Sequence, residues 1–288
     1  MAAQVEAAVA ASPESVPLVY YRFSAFHRFC HYLVMISFFG LVLTGMSLKF
    51  KTGYFAKLLI DGVGGVATAG LIHRVLAVIS IIYYLLEFGY AVVYIIRRKG
   101  AVFGPDSIMF GKKDLHDMRD MFKWFFGKGP RPQFNRFTYW EKFDYAALFA
   151  GTILIGASGL MLWFPEAVTR FLPGVALNVA YVIHSNEALL ATGVIFIFVH
   201  FFSAHGRPEI FPAERNIFSG YNSVEEYIEE RPLEYERRVK AGTLDQVLRP
   251  APSQAMRTFY KVLTGVIVVV AFFCAVYTLL LVLWPVFF

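Results

Sequence analysis

Apolar residues are collected along this chain in five long blocks, over 26–48, 71–96, 143–164, 181–205 and 259–284, separated by stretches in which polar and charged side chains dominate. As α-helices rising 1.5 Å per residue, blocks of this length cross a hydrocarbon core of ~30 Å. The pattern therefore predicts an all-α protein, an integral membrane helical bundle with five transmembrane helices. Two further helices are expected between the blocks. In 114–126 the residues Leu115, Met118, Met121, Phe122 and Phe125 fall on one stripe, which suits a helix lying in the membrane interface. In 223–240 the charges are dense, and Ser223 followed by Glu226 has the spacing of a capping box.

Composition agrees with the pattern. Of the 288 residues 57% are hydrophobic and only 17% charged, and the mean hydropathy is +0.54, well beyond an ordinary soluble domain. The net charge of +6 does not imply a nucleic-acid partner, because the basic residues gather in two loops, as membrane topology alone produces. The connection 97–142 carries eleven Lys and Arg and 206–258 is also rich in Arg, whereas the loop after the first block holds only Lys49, Lys51 and Lys57 and that after the third only Arg170. The positive-inside bias then puts the N-terminus and both long loops in the cytoplasm and the C-terminus outside. Residues 1–19 lack the basic start and apolar run of a signal peptide and are expected to be a flexible cytoplasmic tail. The expected organisation is this tail, a four-helix core over 20–210, a cytoplasmic loop with a helical segment over 211–258, and a fifth membrane helix over 259–288.

The only cysteines, Cys30 and Cys274, both lie in apolar blocks. Two thiols cannot supply a disulfide framework, an iron–sulfur cluster or a Cys-based zinc site. Covalent haem attachment needs a second Cys three residues before Cys30, and that position is His27. Any haem held here is b-type.

Histidines carry the chemistry. Three of the seven, His184, His200 and His205, lie in or at the ends of the fourth block, although polar groups at membrane depth are costly and face partners or ligands. Following the chain across the membrane, His73 and His184 come near the outer face, and His27, His31, His200 and His205 near the inner one. Two bis-imidazole haems, one at each depth, would use four of these six. A lone histidine at a helix end is more often an interfacial residue, and His27 and His205 taken singly fit that description. A proton path would add acidic residues within the spans, where the candidates are Glu87, Asp144 and Glu187.

Helix geometry constrains the fourth block. His200, sixteen positions after His184, would be ~24 Å deeper but turned by about 160°, whereas His205 aligns better in angle and lies ~31 Å away, too far for both sites to stay in the bilayer. A π-bulge, which inserts one residue, would bring His200 most of the way round, so His200 is preferred as the inner ligand. Gly45 lies fourteen residues beyond His31, on the same face and at the outer depth. There the missing side chain serves either a macrocycle or close helix packing. Arg28 and Arg74 flank the ligand candidates, as propionate partners or as topology signals.

On these residues the chain resembles the di-haem membrane cytochrome b subunits of respiratory formate dehydrogenases and nickel–iron hydrogenases. The matching stretches are Arg28-Phe-Cys-His31-Tyr, Leu43-Thr-Gly45, Ile72-His73-Arg74 and the His-bearing fourth block, within roughly 20–210. The resemblance implies an inner haem b held by His31 and His200 and an outer haem b held by His73 and His184. The stretch His205-Gly-Arg-Pro-Glu-Ile-Phe-Pro212 and the later Arg231-Pro-Leu-Glu-Tyr-Glu236 resemble a branch often coupled to multihaem cytochromes c. The expected function is electron transfer between the quinone pool and a periplasmic iron–sulfur or multihaem cytochrome c subunit, as the quinone-reactive subunit of a respiratory oxidoreductase complex. His27 and His205 are expected beside the quinone and its protons rather than on iron. The alternative is a haem-free transporter or structural anchor subunit.

Overall fold

The structure, a computed structural model, describes residues 17–99, 102–207, 210, 211 and 213–287, and the side chains of 204, 205 and 285–287 lie outside that description. The chain divides into two compact units. Unit 1 comprises Met1–Phe29, Val102–Tyr139 and Glu214–Gly265, and unit 2 comprises Cys30–Ala101, Trp140–Ala213 and Val266–Phe288. In chain order the elements are β1 (Leu18–Tyr21), α1 (Ala25–Lys49), α2 (Tyr54–Gly62), α3 (Val66–Arg97), α4 (Lys112–Phe125), α5 (Tyr139–Trp163), α6 (Pro165–Thr169) and α7 (Val175–His200). They continue with α8 (Asn216–Ser219), β2 (Tyr221–Ser223), α9 (Val224–Glu230), α10 (Pro232–Ala241), β3 (Leu248–Pro250) and α11 (Gln254–Phe287).

Five of these helices, α1, α3, α5, α7 and α11, are long and apolar enough to cross a membrane, one for each apolar block. Their ends reach past the blocks, with α3 starting at Val66 and α11 at Gln254, because backbone hydrogen bonding continues beyond the apolar side chains. The helices carry much exposed apolar surface, for example Leu71, Leu85, Val182, Val269 and Phe272, which suits lipid rather than water as the surrounding solvent. Unit 2 has its core where Val42 and Met46 of α1, Ala56 of α2, and Tyr277 and Leu281 of α11 pack together. The fifth helix is thus joined to the first, and the Ser47 and Tyr277 hydroxyls lie 2.6 Å apart across that contact.

Helix α7 changes its winding midway. It is α-helical from Val175 to Leu190 and π-helical over Ala191–His200, with Phe201 N–H reaching back five residues to Phe196 O. A second π-helical stretch follows at Phe202–Gly206. Thr192 donates to Ala188 O at 2.8 Å, a back-bond that bends helices, just where the winding changes. Relative to an α-helix, one inserted residue leaves His200 ~60° from the His184 face, and two leave it ~40° away on the other side. This is the rotation that the spacing of the two histidines asked for.

Unit 1 adds a small sheet to the helical bundle. Strand β1 is its centre, pairing antiparallel with β2 (Val19↔Ser223, Tyr20↔Asn222) and with β3 (Val19↔Arg249, Tyr20↔Leu248). Leu18 and Val19, counted with the tail from sequence, are therefore strand residues. The predicted cap forms as expected, with Glu226 N–H donating to Ser223 Oγ at 3.1 Å and Ser223 N–H to Glu226 Oε2 at 3.0 Å. The single helix expected over 223–240 is two, because Pro232 pushes Arg231 out of helical geometry, to φ −131° and ψ 50°. Helix α4 turns Asp114 and Asp117 inward. Asp114 accepts from Gly111 N–H at 2.7 Å and Asp117 pairs with Lys113, while Leu115, Phe122 and Phe125 are exposed.

Candidate functional site

Four of the candidate residues meet at one level of unit 2. His73, in the third turn of α3, and His184, in the third turn of α7, have ring centres 6.2 Å apart with planes at 77°. His73 Nδ1 lies 2.9 Å from Thr44 Oγ1 near the end of α1. That hydroxyl already donates its one proton to Gly40 O at 2.7 Å, so towards His73 it accepts, and Nδ1 carries the imidazole proton. His184 Nδ1 lies 2.9 Å from Ile155 O on α5. A carbonyl only accepts, so this Nδ1 is also the protonated nitrogen. Both rings are held with Nε2 as the nitrogen bearing the lone pair.

Glycines make room for each ring. A Cβ at Gly45 would meet His73 Cε1 at 2.9 Å, and one at Gly159 would meet His184 Cε1 at 2.9 Å, too close for any real side chain. In sequence Gly45 suits either macrocycle approach or helix packing. The structure gives it a third use, as the seat of an imidazole. Gly159 does the same for His184 on α5. Arg74, next to His73, lies over the Trp163 ring at 5.9 Å.

At the other end of unit 2, His200 closes the π-helical part of α7, and its Nδ1 lies 2.5 Å from Asp144 Oδ2 near the start of α5. The carboxylate accepts, so here too Nε2 carries the lone pair. Phe196, nearly parallel to the His200 ring with centres 6.0 Å apart, flanks it. His31 is half-buried on α1, next to the buried Cys30. Beyond His200, Arg207 donates to Ser203 O at 2.9 Å and lies over Trp140 at 5.2 Å.

The remaining candidates fall in unit 1 or outside the description. Arg28 is engaged by a carbonyl and a hydroxyl, its Nη1 donating to Ser219 O at 2.9 Å and to Tyr260 Oη at 3.2 Å. Gly220, at φ 91°, lets that side chain pass, since a Cβ there would come within 3.3 Å of Arg28 Nε. His27 lies edge-on to Phe26, and its backbone N–H donates to Ser24 Oγ at 3.4 Å. The His205 side chain lies outside the described residues.

Among the described residues no group of three or more His, Cys, Asp or Glu gathers around one point. A porphyrin brings four nitrogens of its own and asks the protein for two axial ligands. The outer pair fits that demand. Two metal–imidazole bonds of about 2 Å, with the ring-centre offsets, span about 6 Å, close to the 6.2 Å observed. The tied Nδ1–H on His73, His184 and His200 is the support that metal-bound imidazoles regularly have. Thr44, Asp144 and the Ile155 carbonyl were not foreseen in this role. Asp144 had a signal in sequence, since an acid within a span needs a partner, whereas a backbone carbonyl leaves none.

Residues 22–210 match the family described as prokaryotic cytochrome b561. No curated protein matches the chain.

Proposed function

The match extends over about two thirds of the chain, which therefore belongs to the prokaryotic cytochrome b561 family, haem-b-binding membrane cytochromes that transfer electrons, and on that premise we propose that it carries two haems b stacked across the membrane. His73 and His184 bind one iron, and His31 and His200 the other. The observation that carries this proposal is the common arrangement of His73, His184 and His200, each donating Nδ1–H to a helix-borne acceptor and keeping Nε2 for metal. The haems supply one-electron redox chemistry. The protein holds them at two depths, fixes the tautomers, and makes room for the outer imidazoles with Gly45 and Gly159.

We assign quinone chemistry to the inner level, facing the cytoplasm by the positive-inside bias. Quinone reduction takes up protons and quinol oxidation releases them, so titratable groups in reach of water are needed. The inner end of unit 2 carries Asp144, His200, Ser203 and Arg207, and His205 continues it in sequence. The exposed Leu115, Phe122 and Phe125 of α4 suit a helix in the lipid interface between two spans. Arg28, held by Ser219 and Tyr260, supports the fold first, and propionate pairing is left mainly to Arg74. The outer haem then exchanges electrons with a periplasmic iron–sulfur or multihaem cytochrome c subunit, in a bacterial inner membrane.

The test is the absorbance of the purified, dithionite-reduced protein together with its haem content. Two haems per chain are expected, falling to one in His73→Ala and His184→Ala. Two haems retained in both variants would remove the outer pair from the assignment. A quinone-analogue inhibitor is expected to perturb the haem lost in His31→Ala and not the one lost in His73→Ala.

A further inference from the structure

The acceptors behind the three histidines are not alike. His73 and His184 at the outer level are backed by a hydroxyl at 2.9 Å and a peptide carbonyl at 2.9 Å, both neutral. His200 at the inner level is backed by a carboxylate, Asp144, at 2.5 Å. A hydrogen bond to an anion is shorter and about twice as strong as one between neutral groups. It draws the Nδ1 proton away from the ring and makes the opposite nitrogen a stronger donor to metal. Asp144 and His200 are both only partly exposed, with side-chain accessibilities of 21% and 33%, and both lie in membrane-spanning helices, so water screens the charge weakly.

We propose that Asp144 is a positioning residue that sets the order of the two redox centres, lowering the reduction potential of the iron bound by His200 below that of the iron bound by His73 and His184. This rests on the two-haem reading above. Ligand basicity and nearby negative charge both favour the ferric over the ferrous state, and axial ligation with its outer hydrogen bonds is a main lever on haem potential. One electron entering the pair therefore settles at the outer level. The inner iron goes from ferrous to ferric as the outer goes from ferric to ferrous, and the transfer from His200 towards His73 and His184 runs downhill. Because the carboxylate acts through the imidazole, Asp144 need not touch quinone, porphyrin or iron.

The experiment is a spectroelectrochemical titration of the purified full-length protein and of its His73→Ala, Asp144→Asn and Asp144→Glu variants. The native chain should titrate in two one-electron steps, and the haem surviving in His73→Ala should be the one with the lower potential. Asp144→Asn should raise the lower step by about tenfold in its reduction equilibrium constant, 59 mV for one electron, and leave the upper step in place. Asp144→Glu, which keeps the carboxylate, should stay close to the native value. The inference is overturned if the His73→Ala survivor is the higher-potential haem, if Asp144→Asn lowers the step, or if it moves both steps equally. Should Asp144→Asn lose the inner haem, the His73→Ala titration still decides, because Asp144 is intact there. A native chain with fewer than two haems would instead remove the two-haem reading, a separate outcome read from haem content.

Discussion

In unit 1 a glutamate with no exposed surface, Glu234, is surrounded by charge, whereas in unit 2 the buried polar atoms of the spans are met one at a time. Glu234 accepts from Arg238 Nε at 2.8 Å and Tyr20 Oη at 3.1 Å, with Arg136 at 3.7 Å. Arg136 also donates to Arg22 O at 2.9 Å, and Tyr20 stacks on Tyr227 with ring centres 3.6 Å apart. In unit 2, Ser37, Thr44, Ser47, Ser158 and Thr192 each donate to a carbonyl one turn back in their own helix. A helix in lipid must satisfy its backbone polar groups within itself, while a unit assembled from distant segments can bring opposite charges together and bury them. The difference teaches where to find function in unit 2. Among the polar contacts that cross between spans, His73 with Thr44, His184 with Ile155 and His200 with Asp144 hold the candidate ligands, whereas Ser47 with Tyr277 joins α1 to α11.

The largest effect should come from removing such a crossing. His73→Ala and His184→Ala are expected to cost one whole haem each while leaving unit 1 as resistant to limited proteolysis as in the native chain. If unit 1 also became sensitive, the two regions would not be independent. Gly45→Leu and Gly159→Leu should mimic them, because the added side chain takes the place of the imidazole, and overpacking of this kind costs about 1–3 kcal/mol. Haem content reads this directly.

The converse change is Glu234→Ala, which leaves Arg238 and Arg136 facing an uncompensated interior. Breaking a buried ion pair from one side costs about 3–5 kcal/mol, so unit 1 should become protease-sensitive at lower temperature with the haem spectrum unchanged. A spectrum that collapsed in parallel would refute the separation.

A smaller effect is pH dependence confined to unit 1. Burial, with Glu234 adding to it and Arg136 opposing it, pushes the Tyr20 hydroxyl up to about 12, and Tyr227 is raised as well, chiefly by burial. The folded chain keeps these protons where an unfolded tyrosine, at about 10, loses them. Their contribution is full below about pH 10 and falls as pH rises through about 12. Proteolytic sensitivity of unit 1 should rise over that window, and Tyr20→Phe should flatten the dependence.

The smallest expected change tests the fifth helix. Tyr277→Phe removes the hydroxyl shared with Ser47 at 2.6 Å and with Phe55 O at 3.3 Å. Hydrogen bonds between membrane helices average ~0.6 kcal/mol, so thermal stability should fall slightly and haem content should not. Loss of a haem would give α11 a role beyond packing on α1.

What the amino-acid sequence determined by itself was whatever depends on local periodicity and on the cost of burying polar groups in lipid. The five spans follow from runs of apolar residues, the cap at Ser223 from a three-residue spacing, and the histidine candidates from their position along the spans. The need for an extra residue in the winding of α7 was also legible, because the sixteen positions from His184 to His200 do not close on one face of an α-helix. Only the tertiary structure decided how far the π-helix extends, that β1 pairs with β2 and β3 more than 200 residues away, and which acceptor stands behind each imidazole. These depend on segments meeting from far apart in the chain, and the acceptors include backbone atoms common to every residue. A carbonyl such as that of Ile155 becomes a partner only when folding brings α5 against α7, which no local pattern records.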